Sequence, residues 1–598
     1  MASKSVLDIF SKVIKTPLNT QSKLCTQLMK HLQLLNNKSL DEQEQKEVFY
    51  VLTRLVRGIG SSNSQVRKVY YSLLAVILGK LIDKPWFNLD NFKNVVDKEL
   101  TKYDSKAEEG DVLFGKVLCY GATIRSGIFS AGTMDTQKAI VVELLSNMKT
   151  KSYLPIITYI ILTAKMNSSN GVIFLEIIWP YLKKYVGLPI TNQTLDSFYC
   201  ILHVFSHYPK LINGAFISRV LETGTELLCI ESMNDIAKIL IFHISKEVNV
   251  HPVYEAFATE LTSASNSDSL ISSFWGTLLP HFTGPHNRYQ QIAALKLCTF
   301  IVEKSSLDSI HSLLSNWFMD ILLKSFTRPN ADTLVSCSRL TISAVMDRVS
   351  SSATPNIAYK VLLKFILPPG DMMVEKITGI KIVQNCLIKM DEQHIKLLAK
   401  QCHQVILMKK KENKENTHFW KIQDRGYAAQ LLARLLELQI STDVIWKIEQ
   451  LKFMLEHAFF TNATEKYHIS HELAAIIRDS FLKALSHKQP NMETLRITLS
   501  TLVHYTDELL KDGRQLRPKT SKDKCETKSK EQSILFGFHT LFLQLGIYLF
   551  VEPSVTIDSL QELQICYEHH INGNENEEKD EPNWVEVVVE LMLSLLVI

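Results

Sequence analysis

Two amphipathic segments joined by a short polar turn occupy residues 51–78. Each places apolar side chains at i, i+3, i+4 and i+7, the spacing of one face of an α-helix. In the first segment these side chains are Leu52, Leu55, Val56 and Ile59. Gly58 and Gly60 are expected to end this helix, because glycine tolerates the left-handed conformation that follows many helices. Since one such helical pair cannot bury its apolar faces alone, the segment predicts a stack of pairs.

Helical periodicity recurs along almost the whole chain, for example at 216–229 and 374–390, each of which is predicted to form one helix. Three polar turns are followed by an arginine and then by small, aromatic and aliphatic residues; the arginines are Arg67, Arg288 and Arg425. Arg67 is interpreted as a residue that packs between repeats or forms hydrogen bonds with the turn. Such degenerate repetition is typical of HEAT or armadillo repeats. The predicted fold class is therefore all-α, a HEAT/armadillo-like α-solenoid of irregular helical repeats.

The composition agrees with long helices, because 21 glycines and 17 prolines are few for 598 residues. Average proteins contain about 7 % glycine and about 5 % proline. The formal net charge of +4 does not by itself indicate nucleic-acid binding, for which a strongly basic domain is the usual sign. The ten cysteines are scattered and form no Cys-x-x-Cys pair, which predicts reduced thiols in a cytosolic or nuclear protein.

Composition also suggests where the solenoid is interrupted. Residues 1–510 are predicted as solenoid, 511–531 as a disordered basic linker, and 532–571 as continuing helices. Residues 572–582 are predicted as a disordered acidic linker, and 583–598 as the start of a further helical segment. This last segment ends without a cap or a polar closing face, so the chain is expected to be truncated there.

The basic linker supplies the candidate contacts to phosphate groups, or alternatively a nuclear-import signal. Its basic residues are Lys511, Arg514, Arg517, Lys519, Lys522, Lys524, Lys528 and Lys530. They never form a run of four, so a solvated spacer without a ligand is the competing interpretation.

No complete catalytic or metal-binding motif is found in the sequence. Residues 110–116 have the glycine spacing and lysine of a phosphate-binding loop, but Val117 replaces the Ser or Thr that binds Mg²⁺. The Cys and His residues at 402–418 and 566–570 have no second pair at structural-zinc spacing. We therefore predict no enzymatic activity, no catalytic or metal-binding residue, no cofactor and no small-molecule substrate.

Residues 532–551 lack Asp, Glu, Lys and Arg, and their length would permit a membrane-spanning helix. Several Gln, Ser, Thr, His and Gly residues interrupt the segment. A central helix of a soluble protein is also apolar on all sides. A buried helix is therefore predicted, and no membrane partner is expected.

Four segments resemble one known family. Residues 54–78 resemble the start of the Myb-binding protein 1A family, also called DNA polymerase phi or DNA polymerase V. Residues 113–127, 535–550 and 584–596 are similar to later helices of that family and follow in the same order. The family continues well beyond the last of these helices, into a basic tail that carries nucleolar targeting. The resemblance therefore implies a C-terminally truncated member.

The resemblance implies a non-enzymatic scaffold of the nucleus and nucleolus that regulates ribosomal DNA transcription and ribosome biogenesis. Transcription factors and ribosome-biogenesis proteins are the implied partners, and direct contact with ribosomal DNA or RNA is left open. Despite the polymerase name, the chain has no Asp-x-Asp, the usual trace of a two-metal clamp. The alternative is a HEAT-type adaptor in nuclear transport or cytoplasmic assembly, without an RNA-related role.

Overall fold

The computed structural model describes residues 4–15, 26–30, 40–101, 106–147, 168–242, 251–282, 287–305, 310–328, 332–407, 420–437, 444–459 and 470–486. Every regular element in these ranges is a helix, which confirms the all-α prediction. The chain divides into two compact units, Met1–Ser309 and Ile310–Ile598.

The described part of the first unit runs through α1 (Lys4–Lys15), α2 (Glu42–Ile59), α3 (Ser64–Leu81), α4 (Leu89–Glu99), α5 (Lys106–Ser126), α6 (Met134–Asn147), α7 (Ser168–Ile173), α8 (Trp179–Val186), α9 (Leu195–His207), α10 (Gly214–Val220), α11 (Met233–Ala237), α12 (Val253–Ser263), α13 (Ser267–Phe282) and α14 (Arg288–Lys304). Two π-helical turns, Phe174–Ile178 and Lys238–Phe242, interrupt this series.

The described part of the second unit runs through α15 (Ile310–Leu313), α16 (Asn316–Lys324), α17 (Asp332–Ser352), α18 (Pro355–Ile366), α19 (Val374–Thr378), α20 (Ile382–Leu387), α21 (Glu392–Ile406), α22 (Ile422–Glu437), α23 (Val444–Phe459) and α24 (His471–Ser486).

Helices pack against helices that are one to three elements away along the chain, as in a solenoid. In the first unit α2 contacts α3, α3 contacts α5, α9 contacts α12, and α12 contacts α14. In the second unit α22 contacts α21 and α24. The predicted face of α2, which includes Leu52, Leu55 and Ile59, is fully buried. Each such side chain contributes about 1.5–3 kcal/mol, so these faces supply the core.

The glycines of the first hairpin serve a different purpose from the one expected. Helix α2 does end at Ile59, but Gly60 has φ −77° and ψ 0°, a right-handed conformation. A Cβ at Gly58 would lie 2.1 Å from the Tyr70 ring, and one at Gly115 would lie 2.7 Å from the Gly60 Cα. The expected left-handed cap is therefore wrong; these glycines allow α2, α3 and α5 to approach closely.

Arg67 binds the repeat turn, as predicted. Its Nη2 donates to the Ser61 carbonyl oxygen and, at 2.8 Å, to the Asp111 carboxylate, while its guanidinium lies 5.0 Å from the Phe114 ring centre. Arg425 acts similarly in the second unit. Its Nε and Nη2 donate to the carbonyl oxygen of Ile406 at 2.9 and 2.6 Å. This carbonyl ends α21, where backbone acceptors lack helical partners.

The predicted helix at 216–229 ends early, at Val220. The loop that follows is held by Asp235, whose Oδ2 accepts from the backbone N–H groups of Glu222 and Thr223 at 3.0 and 2.9 Å. Burial alone raises the pKa of Asp235, but hydrogen bonds from Thr223 and Lys238 outweigh it and hold the pKa below its usual value. The buried carboxylate of Asp235, on another helix, therefore binds backbone N–H groups that would otherwise continue the helix.

The predicted helix at 374–390 is two short helices, α19 and α20. Gly379 separates them with φ 72°, a left-handed conformation that glycine adopts at little cost. Glu375 stabilises the break, since its Oε1 accepts from the Val383 N–H at 2.7 Å and its Oε2 from Arg434 Nη1 at 2.9 Å. Arg434 comes from α22, so a long-range contact fixes this local break.

Two further expectations concern thiols and membranes. The seven cysteines within the described ranges are free, and six of them are buried, in agreement with the reduced-thiol prediction. None of the helices in those ranges is long and apolar enough to cross a membrane. The segment 532–551 lies outside them, so its interpretation as a buried helix stays a prediction.

Candidate functional site

The candidate contacts predicted in the basic linker, Lys511 to Lys530, all lie outside the described residues and stay predictions. Residues 110–116, which have the glycine spacing of a phosphate-binding loop, lie inside helix α5, and Gly115 packs on Gly60. This agrees with the prediction that they do not form a phosphate-binding loop. Cys402 is buried on α21, and burial raises the pKa of its thiol to about 12. Within the described ranges no group of three His, Cys, Asp or Glu residues could hold a metal ion.

A groove of 340 Å³ lies between α9 and α12 in the first unit. We call it the α9–α12 groove. Its lining residues are Tyr199, Leu202, His203, Ser206, His207, Pro252, Glu255, Ala256, Thr259 and Glu260. The five residues from α9 form one wall, and the five from Pro252 onward form the other.

The α9 wall presents three flat rings at intervals of one helical turn. The rings of Tyr199 and His203 meet edge to face with their centres 4.6 Å apart, and those of His203 and His207 are 6.2 Å apart. The Nδ1–H of His207 donates to the carbonyl oxygen of His203 at 3.0 Å. Burial, together with nearby Cys200 and Glu255, raises the pKa of Tyr199, so its phenol stays protonated.

The α12 wall is acidic. Lys304 of α14 donates to the Thr259 hydroxyl at 2.7 Å and pairs with Glu255 at 3.4 Å. Glu303, beside this lysine, has a pKa raised by its own burial and by the charge of Glu255. Glu260 has no hydrogen bond or ion pair with another residue in the described part of the chain. The carboxylates therefore outnumber the cation at this wall.

Beneath the groove, a buried Asp–His pair joins the two walls. His251 Nε2 donates to the Asp196 carboxylate at 2.8 Å, and His251 Nδ1 accepts the Val253 backbone N–H, at the start of α12, at 3.1 Å. Both side chains are 6 % exposed. A general base needs a nitrogen within reach of the substrate proton. Both nitrogens of His251 are already engaged, so this pair serves to position the walls.

Sequence reasoning missed the α9–α12 groove. The only local signal was the spacing of Tyr199, His203 and His207, four residues apart on one helix face. The same spacing is typical of a core-facing stripe. The opposite wall comes from a helix more than 50 positions further along the chain. The local sequence around α9 does not indicate that helix.

A second ring cluster lies in the second unit; its His457 is buried, whereas His403 and Phe453 are half-buried. The ring of Phe453 stacks on His403 with centres 3.7 Å apart and meets His457 edge to face at 4.5 Å. Burial disfavours the charged imidazolium of His457, and the nearby His403 and Arg425 add repulsion, so its pKa is lowered to about 4. This cluster brings α23 into contact with α21.

Among solved structures, the crystal structure of Kap121p is similar to this chain at 11 % identity with a TM-score of 0.32. The similarity covers 100 % of this chain and 57 % of the Kap121p chain. Importin beta is similar at 10 % identity with a TM-score of 0.27, over 96 % of this chain and 74 % of that one.

Two curated relatives are similar in sequence. The rDNA transcriptional regulator pol5 of Schizosaccharomyces pombe is 19 % identical over 100 % of this chain and 65 % of its own length. The Myb-binding protein 1A-like protein of Danio rerio is 44 % identical over 62 residues, which is 10 % of this chain and 5 % of that protein. The chain thus spans less than two thirds of the length of either relative.

The family comparison covers nearly the whole chain. Residues 50–598 match the family model described as DNA polymerase phi. The matched region includes all four segments from which the resemblance was inferred. This chain therefore belongs to the DNA polymerase phi family.

Proposed function

We propose that this chain is a non-enzymatic nucleolar scaffold that regulates ribosomal DNA transcription and ribosome biogenesis by binding transcription factors and ribosome-biogenesis proteins. The observation that carries this proposal is family membership over residues 50–598. The relative named as an rDNA transcriptional regulator, which aligns along the full chain, supports it further. Both observations support a regulatory role in the nucleus, and within the nucleus we propose the nucleolus as its location.

The mechanism that suits this fold is surface presentation. Stacked helices leave long faces on which partner helices or extended peptides can dock. The engaged nitrogens of His251 support a binding role over catalysis at the α9–α12 groove.

Localisation and nascent transcription test this function together. We expect the tagged full-length protein to concentrate with a nucleolar marker, and its depletion to lower the pulse-labelling of new pre-ribosomal RNA. Restoring the full-length protein should restore labelling, whereas the tag alone should not. Exclusion of the full-length protein from nucleoli would contradict the proposal and favour the alternative, an adaptor in transport or cytoplasmic assembly.

The basic linker is proposed as an auxiliary contact to ribosomal RNA or DNA. Replacing its eight basic residues, Lys511 to Lys530, by glutamine should weaken RNA binding and flatten its salt dependence. Each lost phosphate contact should reduce the slope of log K against log salt by about 0.7 for single strands. Binding of labelled RNA at several salt concentrations measures this.

A matched control for the linker replaces an equal number of exposed lysines on the helices and turns, beginning with Lys210 and Lys324. This control should leave the salt slope close to that of the wild type. An unchanged slope in the linker variant would show that the linker is a spacer.

A further inference from the structure

We infer that the α9–α12 groove binds arginine side chains of an extended segment of a partner protein. This inference adds to the proposed scaffold function the kind of partner that binds, a segment with arginine side chains. It rests on the scaffold function only for its biological meaning. The groove itself can be tested on the purified chain.

The ring wall favours arginine among the side chains a partner can offer. A guanidinium is planar and weakly hydrated, so it stacks on aromatic faces, whereas the lysine ammonium is a compact and strongly hydrated charge. Tyr199, His203 and His207 place aromatic rings along the groove in succession on α9. His207, the last ring of this series, is exposed.

The acidic wall supplies the complementary charge. Glu255 and Glu260 line the groove, and among its lining residues there is no lysine or arginine. Guanidinium and carboxylate groups form paired, charge-assisted hydrogen bonds. Glu260 makes no such bond with another described residue, so its carboxylate is available. The same carboxylates repel phosphate groups, which makes nucleic acid the less suitable ligand for this groove.

The spacing of the rings suits an extended segment. From Tyr199 to His207 the helix rises about 12 Å, at 1.5 Å per residue. In an extended peptide, alternate side chains point the same way and are about 7 Å apart. Two arginines separated by one residue therefore both fit along this wall.

The groove is already formed without a ligand. His251 holds Asp196 on α9 and the first turn of α12 in one hydrogen-bonded unit, which fixes the distance between the walls. Its volume of 340 Å³ lies within the range of about 300–1,000 Å³ found for ligand pockets. A preformed groove avoids part of the ordering cost of binding.

Fluorescence anisotropy with the purified full chain tests the inference. The probe is a short labelled peptide in which arginine alternates with glycine and serine, compared with the same peptide carrying lysine. We expect the combined Glu255→Gln and Glu260→Gln variant to bind the arginine peptide about tenfold more weakly, equivalent to about 1.4 kcal/mol. The combined Glu176→Gln and Glu226→Gln variant, which removes two exposed carboxylates elsewhere in the first unit, is the matched control and should bind normally.

A second variant separates stacking from charge. His207→Ala should weaken the arginine peptide more than the lysine peptide, because only the guanidinium stacks. Equal binding of both peptides to the wild type, or unchanged arginine-peptide binding in the double glutamine variant, would overturn the inference. Labelled single-stranded RNA, measured without the peptide, tests the other ligand class: weaker RNA binding to His207→Ala than to the wild type would also overturn the inference. A failure of peptide binding would not change the outcome of the nucleolar assay. A failure of the nucleolar assay would not change peptide binding.

Discussion

Replacing Gly115 by alanine is expected to destabilise the first unit by about 3 kcal/mol, at the upper end of the usual cost of overpacking. The new Cβ would lie 2.7 Å from the Gly60 Cα and 3.0 Å from its backbone nitrogen. Backbone atoms cannot rotate away as the end of a flexible side chain can, so α2 and α5 must separate. Their separation would expose part of the apolar face of α2.

The matched control for Gly115 is Gly276, in the interior of helix α13. A Cβ at Gly276 meets no atom within 4 Å, so Gly276→Ala should stabilise the helix by about 0.5–1 kcal/mol. Hydrogen exchange resolved by segment reports each unit separately, which a single unfolding midpoint would not. Equal protection of residues 42–126 in the two variants would contradict the close-approach explanation.

The second unit is expected to lose about 2 kcal/mol of stability between pH 8 and pH 5 because of His457. Its pKa is about 4 in the folded protein and about 6.5 when unfolded. Between these values the unfolded chain binds the proton and the folded chain does not, so acid favours unfolding. This destabilisation is negligible well above pH 6.5, begins as the pH falls through 6.5, and grows as the pH falls toward 4.

Two variants isolate the titration of His457. His457→Leu should remove this part of the pH dependence, because leucine cannot be protonated. Phe453→Leu, which removes the neighbouring ring and keeps the histidine, should lower stability at every pH and retain the dependence. Hydrogen exchange of residues 444–459 at several pH values measures both. A His457→Leu variant that keeps the wild-type dependence would show that other groups cause it.

Within the fold, local patterns predicted helix faces better than helix ends. The apolar stripe of α2 is buried as expected, because its period matches that of a helix whatever packs against it. The ends at Val220 and Thr378 were missed, since Asp235 and Arg434 act on them from other helices. The start of α4, by contrast, is a capping box formed by Asn88 and Asn91. That local signal was present in the sequence.

The sequence by itself determined the helical class, the buried faces and, through four ordered segments, the family. These properties depend on neighbouring residues, or on their order along the chain. Only the tertiary structure decided that Gly115 is a contact between helices and that Tyr199, His203 and His207 face Glu255 and Glu260 across a groove. The physical reason is that periodicity indicates which face of a helix is apolar, whereas the identity of the face opposite depends on contacts between distant segments.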